Sequence, residues 1–145
     1  MDRLQVITSI RGADDYGSGE YGARRGDRKH NGIDFACAPG SICLALRPGT
    51  VTKHGWVYAD DPAWRYIEIQ DQYGNRCRYF YVQPGAEIGK QVDRGSMIGI
   101  VQDIRKRYPR TDDKPRGIEA HVHVEVMDEA RSRYLNPEEY LCSRS

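Results

Sequence analysis

The feature that most constrains this chain is a series of short apolar runs, each stopped by glycine, proline or another turn residue before it reaches helical length. From Ile33 onward they read GIDFACAP, SICLALRPG, TVTKHGWVYA, WRYIEIQDQYG, NRCRYFYVQPG, SMIGIVQ and AHVHVEVMD, and each predicts a strand. Alternation is clearest in Tyr66–Gln70, where Ile67 and Ile69 share a face. In His121–Val126 the three valines take one face, while His121, His123 and Glu125 take the other. A half-buried antiparallel sheet is therefore expected, with Asp71–Asn75 as a hairpin turn and Gly74 supplying positive φ. Helix is scarce: a single turn is expected at the tail, where Asn136 can cap and Pro137 can open Glu138–Leu141.

The chain of 145 residues fits one compact domain, 1–145, with the β core in 30–141. Residues 1–29 hold too few apolar side chains to pack alone and should be mostly loop, draped over the rest. With 22 basic and 21 acidic side chains the net charge is +1, so no general field calls for a nucleic-acid partner. The opening residues MDRLQVITSIRG lack the apolar core of a signal peptide, and no stretch is apolar enough to insert stably in a membrane, which predicts synthesis in the cytoplasm. Cys37, Cys43, Cys77 and Cys142 show no Cys-x-x-Cys spacing and are read mainly as buried or free thiols.

Two of the four histidines stand in His121-x-His123 on a predicted strand, where residues two apart project from one face. A third stands in His30-x-x-x-Asp34 at a loop-to-strand transition. Imidazole and carboxylate suit zinc, and a catalytic zinc site takes three protein ligands and keeps a fourth position for water. Two His and one Asp fit that count. Glu125 shares the strand face of His123 and is placed to orient a ligand imidazole from behind.

Around the first motif the chain reads Tyr21-Gly22-Ala23-Arg24-Arg25-Gly26-Asp27-Arg28-Lys29-His30-Asn31-Gly32-Ile33-Asp34, then Ala38-Pro39-Gly40-Ser41 and Ala45–Val51. Around the second it reads Val92–Gly99, Gly117–Glu125 and Asn136–Leu141. In that order these segments resemble the lysostaphin-type zinc endopeptidases of the bacterial cell wall, from about Tyr21 to Leu141. The resemblance implies antiparallel sheets of the lysostaphin-like, duplicated hybrid motif type, with long loops over a metal groove. It implies Zn2+ held by His30, Asp34 and His123, with His121 close by and unligated. It also implies hydrolysis of peptidoglycan peptides; with neither an export signal nor a wall-anchoring module read in the sequence, a monomer of the phage endolysin kind is expected, acting at the wall after a separate partner permeabilises the membrane. An arginine near the metal in that family corresponds to Arg24 or Arg25, and Arg25 is expected to hold a substrate carboxylate.

The family usually carries a further histidine in a Tyr-x-His-Leu segment, and here Tyr79-Phe80-Tyr81-Val82 sets Tyr81 in its place. The same replacement marks the vertebrate leukocyte-derived chemotaxins, which the chain resembles through His30–Cys37 and Phe80–Pro84. That likeness implies an alternative, a catalytically inactive zinc-binding recognition or signalling module. For the enzyme, His121 is expected to be the general base and Tyr81 a hydrogen-bond donor to the oxyanion. The basic run Arg105–Arg110 is read as a solvated loop, His54 as a satisfied strand histidine, and Trp56, Tyr58, Trp64 and Tyr66 as core aromatics.

Overall fold

The structure, a computed structural model, describes residues 11, 14, 16–25, 28–128, 130 and 133–142, with the backbone alone at 24, 25, 28, 29 and 142. Among the described residues, twelve strands, a 3-10 turn at Ile104–Lys106 and one short α-helix follow: β1 (Arg24–Arg25), β2 (Arg28–Lys29), β3 (Gly32–Ala36), β4 (Ile42–Leu44), β5 (Gly49–Tyr58), β6 (Asp61–Gln70), β7 (Arg76–Phe80), β8 (Val82–Pro84), β9 (Gln91–Val92), β10 (Met97–Val101), β11 (His121–Met127), β12 (Tyr134–Leu135) and α1 (Pro137–Cys142). The mainly β, antiparallel class expected from the short runs is the class observed. The Asp71–Asn75 turn joins β6 to β7 with Gly74 at φ 88°, and the two strands pair from Tyr66↔Phe80 to Gln70↔Arg76. The tail helix is capped by Asn136, whose Oδ1 accepts from the Glu138 amide at 3.0 Å, and α1 runs six residues rather than one turn. No helix among the described residues is long and apolar enough to cross a membrane.

The larger sheet runs β12-β11-β7-β6-β5-β9, and β3 pairs with β11 ahead of β12. A three-stranded sheet, β4-β10-β8, and a small β1-β2 hairpin complete the strands. The core contains Ile33, Val51, Ile67, Ile69, Tyr79, Val82, Ile98 and the three valines of β11. The polar face of β11 departs from the half-buried expectation, because His121, His123 and Glu125 are also buried. Arg11, Tyr16 and Tyr108 line the cleft together with this face and cover it.

The run NRCRYFYVQPG, which reads as one strand, is two. Tyr81 takes φ 69°, a left-handed conformation uncommon outside glycine, and the chain passes there from β7 in one sheet to β8 in the other. The backbone stays satisfied through the break, since the Tyr81 amide donates to the Arg65 carbonyl and its own carbonyl accepts from the Gln102 amide, both at 2.8 Å.

Aromatic placement also differs from the core expectation. Trp64 and Tyr66 are buried, but Trp56 is 57% exposed, with the Arg65 guanidinium stacked 4.4 Å from its ring. Tyr58 lines the cleft. His54 is a satisfied strand histidine, its Nε2 2.7 Å from the Ala86 carbonyl. Cys37, Cys43 and Cys77 are free thiols, as expected; burial pushes the Cys37 and Cys77 thiols up to about 12. The side chain of Cys142 lies outside the described residues.

The fully buried Tyr79 carries a polar anchor inside this core, its hydroxyl accepting from the Leu46 amide at 2.9 Å. Tyr79→Phe keeps the ring and strands that amide, so it should destabilise the fold by about 1–3 kcal/mol, measured by urea unfolding.

Candidate metal centre

The register of β11 against β3 sets His123 directly opposite Asp34. Directly opposed residues bring their Cβ atoms to about 5 Å, within reach of a shared ion. His30 enters from the loop just before β3, so the His30-x-x-x-Asp34 spacing folds back onto the same rung. Gly32, between them, lets the two strands close: a Cβ there would overlap the Val124 carbonyl oxygen and come within 2.9 Å of His123 Cε1.

His30 Nε2 lies 3.0 Å from His123 Nδ1, His123 Nδ1 2.8 Å from Asp34 Oδ1, and His30 Nε2 3.2 Å from Asp34 Oδ1. The sequence placed these three together, and the structure brings them together in a buried cluster. The remote ring atoms decide the tautomers. His30 Nδ1 meets the Glu20 carbonyl at 2.9 Å and, since a carbonyl only accepts, must carry the proton. His123 Nε2 meets Glu125 Oε1 at 3.0 Å and, since a carboxylate only accepts, carries the proton there. With both rings neutral, the two inward nitrogens present lone pairs beside a carboxylate oxygen, three acceptors converging on one point. Tetrahedral ligands bonded at about 2.0–2.1 Å stand about 3.3 Å apart, so the donor set fits zinc in both chemistry and spacing.

A proton competes with a cation for this cluster, and the same groups hold it there. Burial alone would raise the Asp34 carboxyl, yet hydrogen bonds from His123 and His30 and the nearby His121 hold it well below the usual range. Burial disfavours charge on His123, but its bonds to Asp34 and Glu125 prevail and push it up to about 9. These two shifts describe one coupled pair of groups.

His121 stands beside the set, its Nε2 3.6 Å from Asp34 Oδ2. Its Nδ1 donates to the Glu119 carbonyl at 2.7 Å, leaving Nε2 as the lone-pair nitrogen, and burial holds the ring below the ordinary histidine range. Tyr81 packs edge-on against it, ring centroids 5.3 Å apart. Phe80 and Tyr81, which a regular strand would send to opposite faces, both line the cleft because of the left-handed turn at Tyr81. Burial and the neighbouring Tyr58 raise the Tyr81 phenol well above its ordinary value, so it is a neutral donor.

Two further phenols extend from it. Tyr58 Oη is 3.4 Å from Tyr81 Oη and 2.6 Å from Tyr108 Oη. Tyr108 lies within the basic run read from sequence as a solvated loop. The fully buried Ile104 anchors that run, and Arg107 stacks 4.5 Å from the Tyr58 ring. The cleft these groups enclose measures about 420 Å3. The side chain of Arg25 lies outside the described residues. Arg11 instead reaches the centre, donating to Asp34 Oδ2 at 2.7 Å. No spacing signal marked Arg11, which lies far from either motif in the chain.

A buried pair of histidines and a carboxylate, set beneath a cleft on an antiparallel sheet, is a donor set of the kind that metallopeptidases use. Residues 28–137 match the model of Peptidase family M23, and the chain belongs to that family of zinc metallopeptidases. Leukocyte cell-derived chemotaxin-2 of Mus musculus is 32% identical over 119 residues, covering 82% of this chain and 74% of that protein. Myeloid protein 1 of Gallus gallus is 31% identical over 127 residues, covering 82% of this chain and 35% of that protein. Among solved structures, the chain is similar to the catalytic domain of a mutant of the prophage-encoded M23 protein EnpA from Enterococcus faecalis. There the TM-score is 0.65 at 21% identity, over 92% of each chain. For the catalytic domain of lysostaphin from Staphylococcus simulans the TM-score is 0.62 at 21% identity, over 88% of this chain and 90% of that one. At these identities the two structures show a shared fold.

Gly32→Ala forces a methyl group into the Val124 carbonyl and the His123 ring. It should cost about 1–3 kcal/mol in thermal unfolding through overpacking and weaken zinc binding in a titration of the same sample.

Proposed function

We propose that this chain is a zinc-dependent endopeptidase that hydrolyses the peptide cross-links of bacterial peptidoglycan. The observation that carries the reading is the convergence of His30 Nε2, Asp34 Oδ1 and His123 Nδ1 beside a fourth, uncommitted nitrogen, His121 Nε2, in one cleft. Membership of Peptidase family M23 supports peptide hydrolysis, and the named catalytic domains that share the fold support a cell-wall substrate.

A zinc ion held by His30, Asp34 and His123 would supply Lewis acidity toward the scissile carbonyl and acidify a water molecule. The chain's own residues would do the rest. His121, its Nδ1 tied to the Glu119 carbonyl, would take the nucleophile's proton at Nε2 and return it to the leaving amine. Tyr81, neutral and backed by Tyr58, would donate a hydrogen bond to the developing oxyanion. Phe80 and the tyrosines would narrow the cleft and exclude bulk water, strengthening both interactions. Such a protein would act at the cell wall, in the manner of a phage endolysin.

A second reading has its own observation. Tyr81 stands in place of the usual family histidine, and the chain is 32% identical to mouse leukocyte cell-derived chemotaxin-2, which supports a zinc-binding module without hydrolysis.

Purified peptidoglycan treated with the protein should release muropeptides cut in their cross-links, by mass spectrometry. Chelation should abolish the release and added zinc should restore it. Tight zinc binding without any release would instead establish the module. For the enzyme, Tyr81→Phe should slow turnover by about 10²- to 10³-fold while zinc stays bound, in parallel rate and metal-content assays. Unchanged turnover would remove Tyr81 from the mechanism.

A further inference from the structure

Arg11 is 2% exposed, and it spends its guanidinium on two carboxylates. Nη1 donates to Asp34 Oδ2 at 2.7 Å, while Nε and Nη2 grip Asp14 Oδ2 and Oδ1 at 2.9 and 2.8 Å; Nη2 also meets the Gly17 carbonyl at 2.9 Å. The backbone holds the same arrangement. The Arg11 amide donates to the Asp34 carbonyl at 2.6 Å, the Asp34 amide to the Gly19 carbonyl at 2.8 Å, and the Gly19 amide to the Arg11 carbonyl at 3.1 Å. Gly19 permits this closeness, because a Cβ there would stand 2.6 Å from Arg11 Cβ and 3.0 Å from Asp34 Cβ.

The consequence is a division of labour on one carboxylate. Oδ1 of Asp34 faces His30 and His123, and Oδ2 faces the guanidinium. The same arginine reaches His121 by another route: Asp14 Oδ2 accepts the Glu119 amide at 2.8 Å, and the Glu119 carbonyl accepts His121 Nδ1–H. One continuous chain of hydrogen bonds therefore runs from Asp34 through Arg11, Asp14 and Glu119 to His121.

We propose that Arg11 is a positioning residue of the metal centre: it clamps Asp34 so that a single oxygen, Oδ1, is offered to the ion. Through Asp14 and Glu119 it sets the ring of His121 at the same time. The proposal rests on the metal site read above, and it assigns to the segment before the first strand a part of the site that neither motif contains. Arginine suits the task because its planar fork can bind one carboxylate in bidentate fashion and still reach a second, which a lysine ammonium on a single flexible stem does not reproduce.

The test is zinc affinity of the folded apoprotein, by competition with a chromogenic chelator, for wild type, Arg11→Gln, Arg11→Lys and Asp14→Asn. Far-ultraviolet circular dichroism and thermal unfolding check the fold, and the visible spectrum of the cobalt(II) form reports ligand geometry. Arg11→Gln should weaken zinc binding by about 10- to 100-fold, the range for removing a group that orients a metal ligand. Arg11→Lys should restore part of the loss, Asp14→Asn should weaken binding in the same direction, and the cobalt spectrum should shift in all three. Should Arg11→Gln fail to fold, Arg11→Lys and Asp14→Asn carry the test. Folded variants that lose thermal stability yet keep wild-type zinc affinity and cobalt spectrum would overturn the proposal. A wild type that binds no zinc would overturn it together with the metal reading; a wild type that binds zinc and cuts no peptide would refute the peptidase while leaving the affinity comparison decisive for Arg11.

Discussion

The pairing of β3 with β11, in the register that sets Asp34 against His123, is the constraint on which the rest depends. Side chains of a strand alternate, so a slip of one residue would turn His121, His123 and Glu125 into the core and bring Val122 and Val124 to the cleft. The fully buried valines of β11 forbid that slip. The energy that fixes the metal rung thus comes from apolar packing on the opposite face of the same strand, and the donor groups themselves need not supply it.

Burial on both faces of β11 gives this rung its chemistry. With Asp34, His121 and His123 all nearly excluded from water, each ring orientation is set by a partner rather than by solvent. The partners differ in kind. Carbonyls of Glu20 and Glu119 fix the tautomers of His30 and His121, whereas the carboxylate of Glu125 backs His123. Two imidazoles are thereby held facing Asp34 Oδ1 and one facing Oδ2.

Tyr81 shows how a local departure from strand geometry serves the same centre. A tyrosine at φ 69° is strained, and such strain persists only where the surroundings over-determine it. Here two backbone hydrogen bonds, the change of sheet between β7 and β8, and the packing of the ring against His121 all hold it. The apolar run around Tyr81 reads as a single strand because periodicity carries no record of a residue that reverses its φ.

By itself the sequence determined the antiparallel β class, through short runs punctuated by turn residues, and the hairpin at Asp71–Asn75. It also singled out His30, Asp34 and His123, which the structure brings into one buried cluster, through the surrounding motifs that carry a family likeness. Only the tertiary structure decided that Arg11 would meet Asp34, that Tyr58 and Tyr108 would stand behind Tyr81, and that Trp56 would lie outside the core. These contacts join residues far apart in the chain whose local patterns are those of ordinary loop arginines and strand aromatics. Periodicity reports which face a side chain takes within its own element, and it holds no information on which distant loop will close over that face.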